Sequence, residues 1–488
     1  MATQTFHAQW AWRGAESAVA NVRIGVSNGV ITSVEDGVEA QATDVRISGV
    51  VLPGLVNAHS HAFHRALRGR THGGTGDFWS WRTPMYEIAN RLTPETYGEL
   101  ATMTFAEMAL SGITGVGEFH YIHHQQDGKR YTNPNEMGLA MVEASQRAGI
   151  RMALLDVAYL HAALDKPEPL AEQKRFSDGT IDNWLDRVDA LGEGDISSEH
   201  GPGWTVGMAP HSVRAVHPNE LEEVVANRHG KVVHVHVSEQ PAENAACIAA
   251  TGKTPTQVLA DAGLLGRHFT AVHATHLTTS DIELLCSSHS GVCMCPTTER
   301  DLADGVGPAS TLSAGGAVLS LGTDSNAFID VFEEARAVET DERLVSGKRG
   351  AHTPASLLIA ATSGGATALG WGQHGIQVGA PADFIALSLN SVRLASFDAA
   401  NAAAHIVHSA APADVRDVWV AGRQIVQNHQ HLTVPDVVGG LGRAIAAVVH
   451  CKPYGRITDS NSGSPRTQVG GKRSNSRATC LARDSSVY

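Results

Sequence analysis

"LPGLVNAHSHAFHR", residues Leu52–Arg65, carries an apolar run straight into three histidines, with His59 and His61 separated by a single residue. In an extended chain the side chains at i and i+2 share a face, so both imidazoles can point the same way. A core strand gains nothing from two polar rings, whereas a strand that ends at a barrel mouth gains two metal ligands. The pair alone is weak evidence in a chain where 26 of 488 residues are histidine. What surrounds it has to decide.

Outward from this stretch, short β-rich runs alternate with helix signals. The runs are 49–59, 112–121, 151–160, 205–212, 231–239, 269–276, 291–298 and 317–325. Between them, Thr93-Pro94 offers an N-cap followed by a proline at the first helical position, and Gly112 closes that helix. "HPNELEEVVANRHG" and "TPTQVLADAGLLG" read the same way. Eight strands alternating with helices imply a parallel sheet, and the count favours an α/β fold of the distorted (β/α)8 TIM-barrel type over residues 51–374. Residues 1–50 hold "NVRIGVSNGVITSVED", two strands about an Asn-Gly turn, and residues 375–432 again read strand-turn-strand. Together the two chain ends are expected to build a small composite β-sandwich domain. A helix is expected over 433–452, and the polar, basic tail 453–488 is expected to be disordered.

The net charge of −13 argues against a nucleic-acid or anionic-membrane partner, since either needs a basic footprint. An anionic substrate must therefore be met by a few local arginines. Six irregularly spaced cysteines suggest reduced thiols and a cytoplasmic setting. The start, "MATQTFHAQWAWRG", lacks the basic and apolar regions of a signal peptide, and no apolar segment reaches the ~18 residues of a membrane span.

In a barrel of this kind, function sits at the C-terminal ends of the strands. His59 and His61 end the first strand; His234 and His236 end the fifth, with Glu239 three residues on. His273 ends the sixth, followed by His276, and Asp324 ends the eighth in "GTDS". Each is weak alone, and the joint occurrence points to a metal site. Imidazoles plus a carboxylate, with room for water, suit Zn2+ and less exclusively Fe2+ or Mn2+. Such an ion lowers the pKa of water to about 7, and a nearby Glu and His can then move protons.

These residues resemble the amidohydrolase superfamily in its mononuclear, deaminase-like branch, over about residues 1–450. The separated motifs "NAHSHAFHRAL", "FWSWRTPMY", "GEFHYIHH", "HSVRAV", "HVHVSEQ", "VHATH", "CPTTERDLADG" and "GTDSN" resemble more closely its formimidoylglutamate deiminase family. By that resemblance His59, His61, His236 and Asp324 bind one zinc ion per subunit. It also implies that Glu239 protonates the leaving nitrogen, His273 orients or deprotonates water, and Asp324 hydrogen-bonds that water. The implied substrate is a dicarboxylate amidine of histidine degradation. Arg82 and Arg214 would hold its carboxylates, with Tyr121 and His211 as further contacts. Family members carry Gln three residues after the second zinc histidine, where this chain has His64. Imidazole can still contact a carboxylate, but its charge is expected to titrate near neutrality.

Blander readings apply to several neighbours. His234 and His276 are expected to support the site without ligating, and His123 and His124 to lie in loop or solvent. Cys293 and Cys295 are expected to fill a strand. "FWSWRTPMY" could bury a homodimer contact, and Thr297, Thr298 and Glu299 could simply cap a loop. A superfamily deaminase acting on a ring compound is the rival activity, and an inactive barrel scaffold the non-enzyme rival. Two carboxylate clamps argue against the first, and intact ligands with Glu239 and His273 against the second.

Overall fold

The computed structural model describes residues 3–71, 78–192 and 203–450; the tail expected to be disordered lies outside them. Among the described residues the first strands are β1 (Gln4–Trp12), β2 (Ala18–Ser27), β3 (Val30–Glu35), β4 (Val45–Pro53), β5 (Leu55–Ser60) and β6 (Ile113–His120). Next come β7 (Arg151–Ala158), β8 (Trp204–Pro210), β9 (Val233–Val237), β10 (Phe269–His273), β11 (Gly291–Met294) and β12 (Val318–Leu321). The last are β13 (Phe384–Leu387), β14 (Val415–Val420), β15 (Arg423–Gln427) and β16 (Gln430–His431).

Strands β5 to β12 form one parallel sheet in chain order. A parallel bridge from Ser60 to Asp324 draws its two edges together. There the His61 amide donates to the Asp324 carbonyl (3.0 Å) and the Asp324 amide to that of His59 (2.9 Å). This is the expected (β/α)8 barrel. Its distortion is visible between β8 and β9, which pair only through Met208 and Val233. Helices begin where caps were read: Thr93 accepts from the Thr96 amide ahead of the helix Pro94–Leu110, and Thr254 from Gln257 ahead of Pro255–Asp261.

The apolar run of the opening stretch is two strands belonging to different sheets. Up to Pro53 the chain pairs with β13 (Pro53 opposite Phe384); from Leu55 it pairs with β6 (Leu55 opposite Ile113). Gly54 makes the change possible, because a Cβ there would lie 2.1–2.7 Å from the Thr114 side chain. The second sheet has the order β16-β15-β14-β13-β4-β1-β2-β3, antiparallel except for β1 with β4. It is one continuous mixed sheet that curls on itself, with Val30 bridging back to Pro381. Its own core gathers Phe6, Phe384 and Trp419, with ring centroids 5.0–5.9 Å apart. A buried bidentate pair from Arg151 at the start of β7 to Asp383 (2.5 and 3.1 Å) links this sheet to the barrel.

Candidate active site

Every residue of β5 is buried, and its last turn carries His59 into the barrel mouth. The Nε2 of His59 lies 3.1 Å from that of His236 and 3.5 Å from Asp324 Oδ1; His61 Nε2 is 3.3 Å from the same oxygen. Ligands about 2.0–2.1 Å from a tetrahedral zinc would themselves be about 3.3 Å apart. His61 Nδ1 bonds the Phe119 carbonyl (3.0 Å), which puts the proton on Nδ1 and leaves the Nε2 lone pair facing inward. The separations of His59, His61, His236 and Asp324 are close to those of ligands around one ion. The donor set therefore fits a divalent ion held by His59, His61, His236 and Asp324.

The backbone that aims these groups is unusual. Ser238, His273, Asp324 and Asn326 all have positive φ (52°, 67°, 41° and 52°), a region that costs a non-glycine residue free energy. A buried network holds the last two. Asn57 Nδ2 donates to Thr323 Oγ1 (2.7 Å), Thr323 Oγ1 to Asn326 Oδ1 (2.6 Å), and Asn326 Nδ2 to Ser60 Oγ (3.1 Å) and the His61 carbonyl (3.0 Å). Gly322 permits the approach of the two segments, since a Cβ there would meet His59 at 2.7–3.0 Å.

Above the His/Asp cluster, one cavity is lined by His61, His64, Arg82, Tyr121, His211, Arg214, His236, Glu239, His273 and Asp324. The fold thus brings the sequence-predicted site residues to one place, with fully buried His59 at its floor. His273 lies 3.8 Å from Glu239 through Nε2 and 3.4 Å from Glu299 through Nδ1. Burial alone would depress its pKa, but the carboxylates of Glu239, Glu299 and Asp324 outweigh burial and raise it well above the ordinary range. Burial raises the Glu239 carboxyl, as a group that must hold a proton requires. Burial opposes ionisation of Asp324 too, yet the surrounding His59, His61 and His273 hold its carboxyl far below the usual range.

Arg214 is the exposed question of this cavity. Its Nε is buried with no hydrogen-bond partner, and among the described residues no carboxylate lies within ion-pair distance. Arg82 donates to the hydroxyls of Tyr86 and Tyr159, the latter at 3.5 Å. Gln173, fully buried, donates to the same two hydroxyls at 2.9 Å each. Tyr86, Tyr159 and Gln173 escaped the sequence reading. Tyr86 closes the "FWSWRTPMY" motif, whose Trp81, Arg82 and Met85 also line the cavity; Gln173 sits in a short 3-10 helix, Ala171–Phe176, with no local signal of a site.

Some expectations are corrected. His64 does not titrate near neutrality: burial pushes its pKa down to about 3, so it is a neutral ring bonded to Tyr121 Oη (3.0 Å). His123 and His124 do lie in the loop after β6, but not in solvent. Both are buried, His123 on the Val157 carbonyl (2.8 Å) and His124 on Asp178 (3.1 Å). Glu299 does more than cap a loop, since it also contacts His273. His234 turns its Nε2 to the Ala368 carbonyl (2.8 Å), His276 turns to Asp304, and Cys293 and Cys295 fill the barrel interior.

The sequence profile of the Amidohydrolase family matches residues 50–425. The chain belongs to this family. Among characterised amidohydrolase relatives, the formimidoylglutamate deiminase of Pseudomonas aeruginosa is 35% identical over 423 residues, covering 84% of this chain and 92% of that protein. The 5-methylthioadenosine/S-adenosylhomocysteine deaminase of Teredinibacter turnerae is 31% identical over 397 residues, covering 79% and 81%. A solved adenosine deaminase from Xanthomonas campestris with bound zinc superposes with a TM-score of 0.76 at 26% identity, covering 90% of this chain and 98% of that one. This amidohydrolase is a metal-dependent hydrolase of the deaminase type. Among its described residues no helix is long and apolar enough to cross a membrane.

Proposed function

We propose that this amidohydrolase hydrolyses the formimino group of N-formimino-L-glutamate, giving N-formyl-L-glutamate and ammonia. The observation that carries the reading is Arg214, half-buried with its Nε buried and unbonded, sharing a cavity with Arg82, Glu239 and His273. A bound carboxylate would supply the hydrogen-bond partner that Arg214 Nε lacks. Together with Arg82 it suits a substrate with two carboxylates, and the 35% identity to a formimidoylglutamate deiminase supports that choice.

A divalent ion on His59, His61, His236 and Asp324 supplies Lewis acidity and makes water nucleophilic near neutral pH. Zinc is the ion we propose, on the strength of the three imidazoles and one carboxylate. Arg82 and Arg214 bind the carboxylates, and His64, Tyr121 and His211 shape the pocket around the chain between them. With a cation on the cluster offsetting the carboxylates around it, His273 would be neutral, orient water toward the formimino carbon and take up its proton. As the carbon–nitrogen bond breaks, the Glu239 carboxyl delivers a proton to the departing nitrogen. Water supplies the oxygen of the formyl product, and ammonia carries away the nitrogen.

The aromatic wall of Trp81, Tyr86, Tyr159 and Phe176 supports a second reading, a purine-nucleoside deaminase. Metal-analysed protein offered N-formimino-L-glutamate alongside 5′-methylthioadenosine and adenosine separates the two by ammonia release. Turnover of a nucleoside with an inert formimino compound would overturn the proposal.

A further inference from the structure

Against the catalytic cavity lies a second, larger space, with about 480 Å3 of free volume compared with about 60 Å3 in the cavity itself. Among the described residues its walls come from the segment after β7, at Ala163, Leu164 and Asp165, and from the stretch that follows β9. Arg214 and Glu239 line both spaces. The two therefore share a boundary at the group that hands a proton to the departing nitrogen. Ammonia, the small leaving group of the parent reaction, fills little of the larger one.

The sequence explains the room. Helix Pro241–Thr251 begins two residues after Glu239 and lines the space with Ala242, Ala246, Ala249 and Ala250. At i, i+4, i+7 and i+8 these four share one helix face, and methyl groups leave room while still offering apolar surface. The same helix adds one polar group. Glu243 is buried, and the Glu239 amide donates to its Oε2 (3.2 Å), while its Oε1 is buried with no hydrogen-bond partner. Leaving a buried acceptor unbonded costs free energy that an N–H of a bound molecule returns.

We propose that this alanine-lined space receives an alkyl group carried on the departing nitrogen, so that the enzyme also hydrolyses N′-alkyl formamidines and releases primary amines. The proposal rests on the reading of Glu239 as the acid for that nitrogen and of N-formimino-L-glutamate as the parent substrate. In the alkylated compound the formimino carbon gains its oxygen from water, and its bond to the substituted nitrogen breaks. The nitrogen keeps the bonding pair and gains two hydrogens, matching the two that water loses, with Glu239 handing over one of them. It leaves as the amine, its N–H meeting Glu243 Oε1 and its alkyl chain lying on the alanines. N-formyl-L-glutamate is the other product, as in the parent reaction.

Metal-loaded full-length protein is offered N-formimino-L-glutamate and its N′-methyl and N′-propyl derivatives, and ammonia, methylamine and propylamine are separated by chromatography. Propylamine release should proceed with kcat/KM within about tenfold of ammonia release from the parent. Ala246→Phe and Ala249→Phe, at exposed helix positions, should lower it by about a further tenfold and leave the parent activity within about twofold. An inert parent compound would refute the substrate rather than the space, and the same comparison then runs on adenosine and adenosine propylated on its amino nitrogen. With whichever parent turns over, an alkylated derivative left intact would overturn the proposal. So would equal losses of both activities in the two variants.

Discussion

Replacing Arg214 with Met tests the substrate reading most directly, because two observables should move in opposite directions. Arg214 is half-buried, its Nε is buried and unbonded, and it borders the catalytic cavity. Hydrogen bonds to charged groups contribute about 1.5–3 kcal/mol each, so losing a bidentate carboxylate clamp costs about 3–5 kcal/mol of binding. That corresponds to a fall in kcat/KM of about 150-fold to 5000-fold, carried mainly by KM if the contact is equal in ground and transition states. Folding should respond the other way. Methionine fills similar space without an unpaired charge, so the free protein should be as stable or gain about 1 kcal/mol, an increase of about 2 °C in Tm. The assay is ammonia release across substrate concentration, run beside zinc content and thermal melts. A substrate lacking one carboxylate completes a double-mutant cycle: the Met variant should lose little more on the analogue whose missing carboxylate Arg214 holds. Zinc content and activity lost together, or additive losses with both single-carboxylate analogues, would refute the reasoning.

Three further outcomes are expected. His64→Gln should keep kcat/KM within about threefold and leave the pH profile between pH 6 and 8 unchanged, because His64 is already neutral there and Gln can still bond Tyr121; a lost basic or acidic limb in that window would contradict this. Gly322→Ala should destabilise the fold by about 1–3 kcal/mol and weaken metal retention, since its Cβ would press on His59 at 2.7–3.0 Å; chemical unfolding and metal analysis read both. His120, buried with neither ring nitrogen bonded, has its pKa pushed by burial from 6.5 down to about 4. Above pH 6.5 it contributes nothing. As pH falls below that value the unfolded chain binds a proton that the native chain refuses, so stability drops, by about 2 kcal/mol at pH 5. His120→Phe, which keeps a flat ring near Tyr97, should remove about that much of the difference in unfolding free energy between pH 8 and pH 5. An unchanged difference would show that His120 is not the group responsible.

Local patterning made the eight barrel strands legible, because parallel strands covered on both faces read as near-continuous apolar runs. The same rule hid the division at Gly54. Both halves of 49–59 are apolar, and nothing in hydrophobicity tells a strand which sheet will supply its partner. His59, His61, His236, His273 and Asp324 were readable because strand ends in a barrel face one mouth, so residues far apart in sequence acquire a common address. Gln173 had no such address. It reaches Tyr86 and Tyr159 from a short 3-10 helix whose placement depends on the whole barrel.

Charge state divides the same way. Sequence determined that this chain has few cations to spare, that Arg82 and Arg214 stand in motifs, and that histidines and an aspartate recur at strand ends. Only tertiary structure decided which groups are ionised and which are paired. His64 and His123 are neutral because the fold removes their water, and Arg214 Nε is left unbonded because the nearby Glu239 and Glu243 favour its charge from beyond ion-pair distance. Ionisation is a property of surroundings, and surroundings are assembled only when distant segments meet.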